Sequence, residues 1–424
     1  MLRAGHIVFL CALALLTLGV VMVSSAGMEV KAVHVPPGTS AAQAVAGPQN
    51  LFDAVAGLVL SKNGFYMALA ILAMASMAML PLDRFVTQSA AINRPRHRAA
   101  LFTLIGGVIL LTGLVATSYM PGLKHPVNHS LRWVAVPGFK SLTIQPSEFA
   151  KWGMLVVLAA YGAWRADLMR SFAKGLVPAL IAIGIVAAAI AHQDLGTGVL
   201  VFAAGGLVLI AAGARIWHFL VFIPPAAVGV IALIIANPYR VKRIETFFDP
   251  YLQPQKAGYH MIQSMLAVSG GQGTGRGLGF GLQKFGYLPE DTTDFLFAII
   301  CEELGIFGAL MVAGLYTALL WAGLSIVRRQ TSPMLKLLGL GVLSTIGLQA
   351  LINLAVVTGI GPTKGIALPL LSSGGTGWIL TAASLGLLIA MDTELATETV
   401  EQTEPQLTVA DSMIEAGAPQ PVAA

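Results

Sequence analysis

Apolar runs of about 20 residues, separated by short polar connections, recur along most of this chain, and they limit what it can become. An α-helix rises about 1.5 Å per residue and the hydrocarbon core of a bilayer is about 30 Å thick, so one crossing takes about 20 mostly apolar residues. That rule selects ten stretches, near 7–28, 64–82, 100–118, 147–163, 176–192, 196–213, 217–236, 295–325, 337–358 and 376–391. Lipid offers the backbone no hydrogen-bond partner, so each run is expected to be a helix. The expected fold is an all-α polytopic membrane protein with about ten transmembrane helices. One large extracytoplasmic loop, residues 237–294, joins spans seven and eight.

Composition agrees. Of 424 residues 56% are hydrophobic and 11% charged, whereas soluble domains carry about 25% charged residues. The net charge of +5 is spread over short loops rather than gathered on one face, so no nucleic-acid partner is implied. Cys11 and Cys301 lie inside apolar runs with no CxxC or His spacing, which reads as packing rather than a disulfide or a metal cluster. The first run has the small residues Ser24, Ser25 and Ala26 of a cleavage site, but it exceeds a signal peptide's usual apolar length of about 7–15 residues, so an uncleaved span is expected. Residues 1–391 form the membrane domain. Residues 392–424 hold seven acidic residues and no Lys or Arg, the composition of a disordered cytoplasmic tail.

Lys and Arg in the short loops set the orientation. Arg3, the Arg84 to Arg98 group, Arg165, Arg170, Lys174, Arg215, Arg328, Arg329 and Lys336 fall on one side, which places both termini in the cytoplasm. The opposite side carries as many, but half of them, Arg240, Lys242, Arg243, Lys256, Arg276 and Lys284, sit in the 237–294 loop. Two readings stand: the loop faces an anion, or its cations pair with Glu245, Asp249, Glu290 and Asp291.

Ionisable groups at membrane depth are costly, by about 2.5–3.5 kcal/mol each on the insertion scale, so each marks a candidate site. In Gln145-Pro146-Ser147-Glu148-Phe149-Ala150-Lys151, Glu148 and Lys151 share a helix face. They either neutralise one another or present Lys151 to a phosphate, with Arg132 upstream on the same side. Asp194, in the tight turn after the fifth span, either caps the next helix or lines a cavity. In Gly270 to Glu303 a glycine-dense segment, with Gly at every second position from Gly271 to Gly281, runs through Lys284, Glu290 and Asp291 into Asp294. Asp294 stands in the first turn of an apolar helix, where the dipole favours a carboxylate. Glu302 and Glu303 follow about 12 Å deeper on other faces, so the two are not expected to share one cavity. Finally, Pro362 to Gly375 breaks its helix with two prolines and offers Lys364, Pro369, Ser372, Gly374 and Gly375. No βαβ unit surrounds the alternating glycines, so they are no dinucleotide fingerprint.

These residues resemble the SEDS family of cell-wall polymerases, the group of FtsW, RodA and SpoVE. The likeness runs through VMVSSAG, IQPSEFAK, the DLGTG turn, YRVKRIETFFDP, the long GYHMIQSMLAVSGGQGTGRGLGFGLQKFGYLPEDTTDF segment and GPTKGIALPLLSSGGTG. Pro-Thr-Lys-Gly at 362–365 is closer to the division-type members. Thr292, Gln193 and Ser373 stand where the family carries His, Pro and Tyr.

The resemblance implies a ten-helix fold that polymerises lipid II on the outer face of the cytoplasmic (inner) membrane. The partners it implies are lipid II and an undecaprenyl-linked glycan, a class B penicillin-binding transpeptidase, other divisome membrane proteins and membrane lipid. It implies Asp294 as catalytic carboxylate. Arg132, Lys151, Lys364, Glu290, Lys284, Asp194 and Ser372 are the expected substrate-binding residues, and Glu148, Pro369, Gly374 and Gly375 the structural ones. No resident metal is expected, although Mg or Mn could accompany the pyrophosphate. The rival functions are a flippase for the lipid-linked precursor and a non-catalytic divisome scaffold.

Overall fold

The computed structural model describes residues 3–27, 57–82, 97–120, 124–127, 130–136, 139–256, 258–362, 365–373 and 375–395. Lys364, Gly374, most of the 29–62 loop and all but the first four residues of the acidic tail lie outside them.

Every expected span contains a helix. In chain order they are α1 (Ala4–Ala26), α2 (Lys62–Ala78), α3 (His97–Ala116), α4 (Pro146–Trp164), α5 (Val177–Gln193), α6 (Leu195–Ala211) and α7 (Ile216–Ile235). Two shorter helices of the outer loop follow, α8 (Pro238–Phe248) and α9 (Tyr259–Gly270), then α10 (Leu296–Arg329), α11 (Pro333–Val357) and α12 (Thr376–Leu395). Among the described residues seven helices are long and apolar enough to cross a membrane. The other three expected spans are α2 and α6, of 17 residues each, and α4, which carries Glu148 and Lys151 near its start.

The all-α expectation needs one amendment. Between α3 and α4 the chain forms a three-stranded antiparallel sheet, β1 (Lys124–Val127), β2 (Ser130–Val136) and β3 (Phe139–Ile144), in the order β1-β2-β3. This segment is too short and too polar to cross lipid, and its apolar residues, such as Val134 opposite Ile144, suit strand pairing.

Helix starts follow from local chemistry. Pro146 and Pro333 occupy first-turn positions of α4 and α11, where no amide donor is needed. The Asp194 carboxylate accepts from the amides of Gly196 and Thr197 and so caps α6. α1 packs along α10, α4 against α3, and α11 against α4, α6 and α10. α12 closes the bundle, with Gly386 against Met74 of α2 and Leu388 beside Gly339 of α11. Leu15, Leu16, Met154, Tyr161, Ile183 and Trp378 fill the centre. α7 buries no residue and carries Pro224 and Pro225, as a helix at the rim facing lipid.

At the end of the bundle opposite the 237–294 loop, one side chain ties three helices. Asp392 accepts from the Gly5 amide at 3.0 Å and pairs with Arg329 Nη2 at 2.7 Å.

Candidate functional site

The chain turns into α10 through a run of turns at 287–295, and Asp294 sits one residue before the helix's N-cap, Phe295. Its carboxylate is turned against the Cα of Gly365, so close that a β-carbon there would overlap Oδ2. Glycine is therefore required at 365 for the two segments to approach. The Asp294 carbonyl accepts from Asn353 Nδ2 of α11 at 2.7 Å, and the same nitrogen donates to the Ile366 carbonyl at 2.7 Å. Beside them the Ser373 amide donates to the Thr292 carbonyl at 3.0 Å. The turn before α10 and the broken segment after α11 are thus held against one another.

Burial pushes the Asp294 carboxyl up to about 7, and the charges of Glu290 and Asp194 push the same way against the pull of Arg132 and Arg243. Asp291 is raised to about 6, chiefly by burial and partly by Glu290, with backbone donors and Lys284 opposing. His260 of α9 is lowered by burial and by Arg243, with Glu290 opposing. Glu290 has a left-handed backbone, φ 59°, and accepts from Thr293 Oγ1 at 2.9 Å. Carboxylates and guanidinium groups therefore share one field at this mouth.

Arg132 of β2 pairs with Asp194 at 3.2 Å. Asp194 combines both sequence readings: it caps α6 and it lines a small cavity with Arg132, Val115, Ser118, Pro146, Ser147, Ile190 and Gln193. Lys151 is 2% exposed and its Nζ is engaged by Glu148 at 2.8 Å and by Gln349 Oε1 at 3.2 Å. Its ammonium is held inside the bundle rather than presented to a ligand.

Two expectations are corrected. Lys284 is not at the Asp294 mouth as a substrate cation; it is fully buried, paired with Glu303 at 2.8 Å and bonded to Ser25 of α1 at 3.0 Å. Ser372 is no substrate group either, because its Oγ accepts from the Leu368 amide and its carbonyl from Trp378 Nε1, all within the protein. Glu302 and Glu303 have separate partners, and Glu303 is tied to another helix by Ser25 of α1. The glycine-rich segment folds back over the helix and gives Glu303 the amides of Gly279 and Gly281, and Glu302 those of Leu282 and Gln283. The helix admits that wrapping because Gly305 leaves helical geometry at φ 63°, ψ −152°.

That arrangement also resolves the outer-loop cations. Arg276 pairs with Glu302 at 3.4 Å, and Arg240 donates to the carbonyls of Ala191, His192 and Leu233, so with Lys284 three of the six are used within the fold. Neither sequence reading foresaw partners on α10.

Pro369 gives its carbonyl to the Tyr316 hydroxyl at 2.5 Å, and Gly375 rests on the Tyr66 ring at φ 44°. Gln349 and Asn353 were missed from the sequence. The available signal was two amides at i, i+4 in an otherwise apolar helix. Among the described residues no three His, Cys, Asp or Glu side chains gather to hold a metal ion.

Comparison with known proteins agrees with this architecture. The family model covering FtsW, RodA and SpoVE, described as "Cell cycle protein", matches residues 5–397. The chain is 34% identical over 389 residues to the probable peptidoglycan glycosyltransferase FtsW of Alkalilimnicola ehrlichii, covering 91% of this chain and 88% of that one. It is 39% identical over 280 residues to stage V sporulation protein E of Bacillus subtilis, covering 65% and 75%. A chain of a solved peptidoglycan synthase complex, described as coordinating polymerization and crosslinking, superposes with TM-score 0.63 at 23% identity, covering 92% of this chain and 97% of that one. The rod shape determining protein RodA of Thermus thermophilus superposes with TM-score 0.54 at 22% identity, covering 91% and 96%.

Proposed function

The chain belongs to the FtsW, RodA and SpoVE family, and on that premise we propose that Asp294 is the base of a lipid II polymerase working in septal cell-wall synthesis. The protein is a multi-pass membrane peptidoglycan glycosyltransferase of nearly all-helical fold. The observation that carries the assignment is the placement of the Asp294 carboxylate at the start of α10, against Gly365 and with its backbone tied to α11 by Asn353.

The reaction needs one bond made and one broken. The 4-hydroxyl of an incoming lipid II attacks the anomeric carbon of the lipid-linked glycan. The anomeric C–O bond breaks, undecaprenyl diphosphate departs, and the configuration inverts. A sugar hydroxyl is a poor nucleophile at neutral pH, and a base with a pKa near the working pH gives about 10²–10⁴-fold. Asp294 takes the hydroxyl proton. Charge develops on the diphosphate, where preorganised cations are most effective. Arg132 and Arg243 are the cations that act on the carboxylate and are assigned that role. A Mg or Mn ion, if bound, would help to neutralise the departing diphosphate. The termini lie in the cytoplasm, and a class B transpeptidase crosslinks the product.

Purified full-length protein, with its cognate transpeptidase, is expected to convert lipid II into strands longer than the supplied disaccharide, and Asp294→Asn to abolish this. Translocation of lipid II without polymer would favour a flippase. Rescue of a depleted strain by Asp294→Ala would favour a scaffold.

A further inference from the structure

We infer that Asn353 and Gln349, two amides one turn apart on α11, are positioning residues for the polymerase, fixing the Asp294 carboxylate by clamping residues 365–367 against it. This rests on Asp294 being the base.

Asn353 is 1% exposed. Its Nδ2 donates both to Asp294 and to Ile366, bridging the turn before α10 and the segment after α11. Gln349 lies four residues earlier on the same face. Its Nε2 donates to the Ala367 carbonyl at 2.8 Å and its Oε1 accepts from Lys151 at 3.2 Å. Successive carbonyls, 366 and 367, are thereby held from one helix, and Gly365 next to them is the residue on which the carboxylate rests. The clamp thus acts on the wall of the Asp294 site and, at Asn353, on the Asp294 backbone itself.

Asn353 donates twice from one nitrogen, so its loss frees two segments at once. What the residue provides is the pair of donors. Placing a reacting group to within an ångström matters far more for rate than for folding, because a 1 Å displacement can lower rate by about 10²-fold.

The same geometry governs the proton affinity of Asp294. It is faced by Glu290 from its own turn, Asp194 from the start of α6, Arg132 from β2 and Arg243 from α8, while the 365–367 segment shields it from water. Releasing that segment rehydrates the carboxyl and returns it toward an ordinary aspartate.

Full-length protein with its transpeptidase is assayed on lipid II as wild type, Asn353→Ala, Asn353→Ser, Gln349→Ala and Asp294→Asn, with thermal unfolding measured alongside. Asn353→Ala is expected to lower kcat by about 10- to 100-fold, with KM for lipid II nearly unchanged. The acidic limb of its pH profile moves from about pH 7 toward lower pH. Asn353→Ser, which keeps one donor, recovers part of both, and Gln349→Ala moves the limb the same way by less. A folded Asn353→Ala with wild-type kcat and an unmoved limb overturns the inference. Should Asn353→Ala fail to fold, unmoved limbs in Asn353→Ser and Gln349→Ala overturn it. Carboxyl titration by infrared difference against Asp294→Asn reads the same shift without turnover, so a wild type that makes no polymer counts against the proposed function while the clamp is still judged.

Discussion

The carboxylate of Asp294 rests on the Cα of Gly365, two residues 71 positions apart through which the turn before α10 meets the segment after α11. A single methyl added at 365 would occupy the space that Oδ2 fills. Gly365→Ala is expected to leave the helical bundle intact, because the segment lies at its edge, but to lower polymerisation by about 10²-fold through displacement of the base. Glycan synthesis from lipid II, with thermal unfolding as control, decides it. Wild-type rates in a folded Gly365→Ala would mean the carboxylate does not work from this position.

Replacing the base itself has two signatures. Asp294→Asn keeps the shape and removes the proton acceptor, so a loss of about 10²–10⁴-fold is expected. The wild-type rate should climb as pH rises through about 7, where the carboxyl ionises. Stability should move the other way. Between about pH 4 and 7 the folded protein holds a proton that the unfolded chain, with its ordinary aspartate value of 3.8, has released, so stability falls as pH rises across that window. Unfolding of Asp294→Asn in detergent should lack that part of the slope.

Arg132 lowers the proton affinity of Asp294 and pairs with Asp194, which raises it. Arg132→Ala removes the first influence and leaves the second unopposed. The acidic limb of the rate profile should then move above about 7, and the maximal rate should drop as the leaving diphosphate loses a cation. A limb that stays in place would separate Arg132 from the Asp294 field.

Lys284 and Glu303 form a fully buried pair that also holds Ser25 of α1. Removing one partner leaves an uncompensated charge, so Lys284→Met should destabilise by about 3–5 kcal/mol. Lys284→Met with Glu303→Gln should recover part of that, measured as thermal midpoints. A lone Lys284→Met as stable as wild type would refute the pair's structural role.

The spans and the Asp294 position are local patterns: a length of apolar chain, and a carboxylate where polar chain meets it. They were therefore readable in order along the sequence. What could not be read depended on partners far away. Arg276 and Lys284 looked like loop cations because nothing nearby reveals that Gly305 lets the loop fold back onto Glu302 and Glu303. Ser372 looked available because a broken helix suggests a binding loop, whereas its own Leu368 amide and Trp378 satisfy it. Gln349 and Asn353 were visible as misplaced amides, but their meaning depends on which carbonyls face them. The sheet at 124–144 is a short excursion between spans, below what hydropathy can register.

Asp392 holds the Gly5 amide and Arg329 together, so the first helix begins and the last one finishes at a single spot on one face. Reporter proteins fused ahead of α1 and directly behind α12 are therefore expected to share a compartment, both bright or both dark where fluorescence depends on the side of the membrane. Two such fusions that disagree would require an odd number of crossings, whatever the hydropathy of each helix.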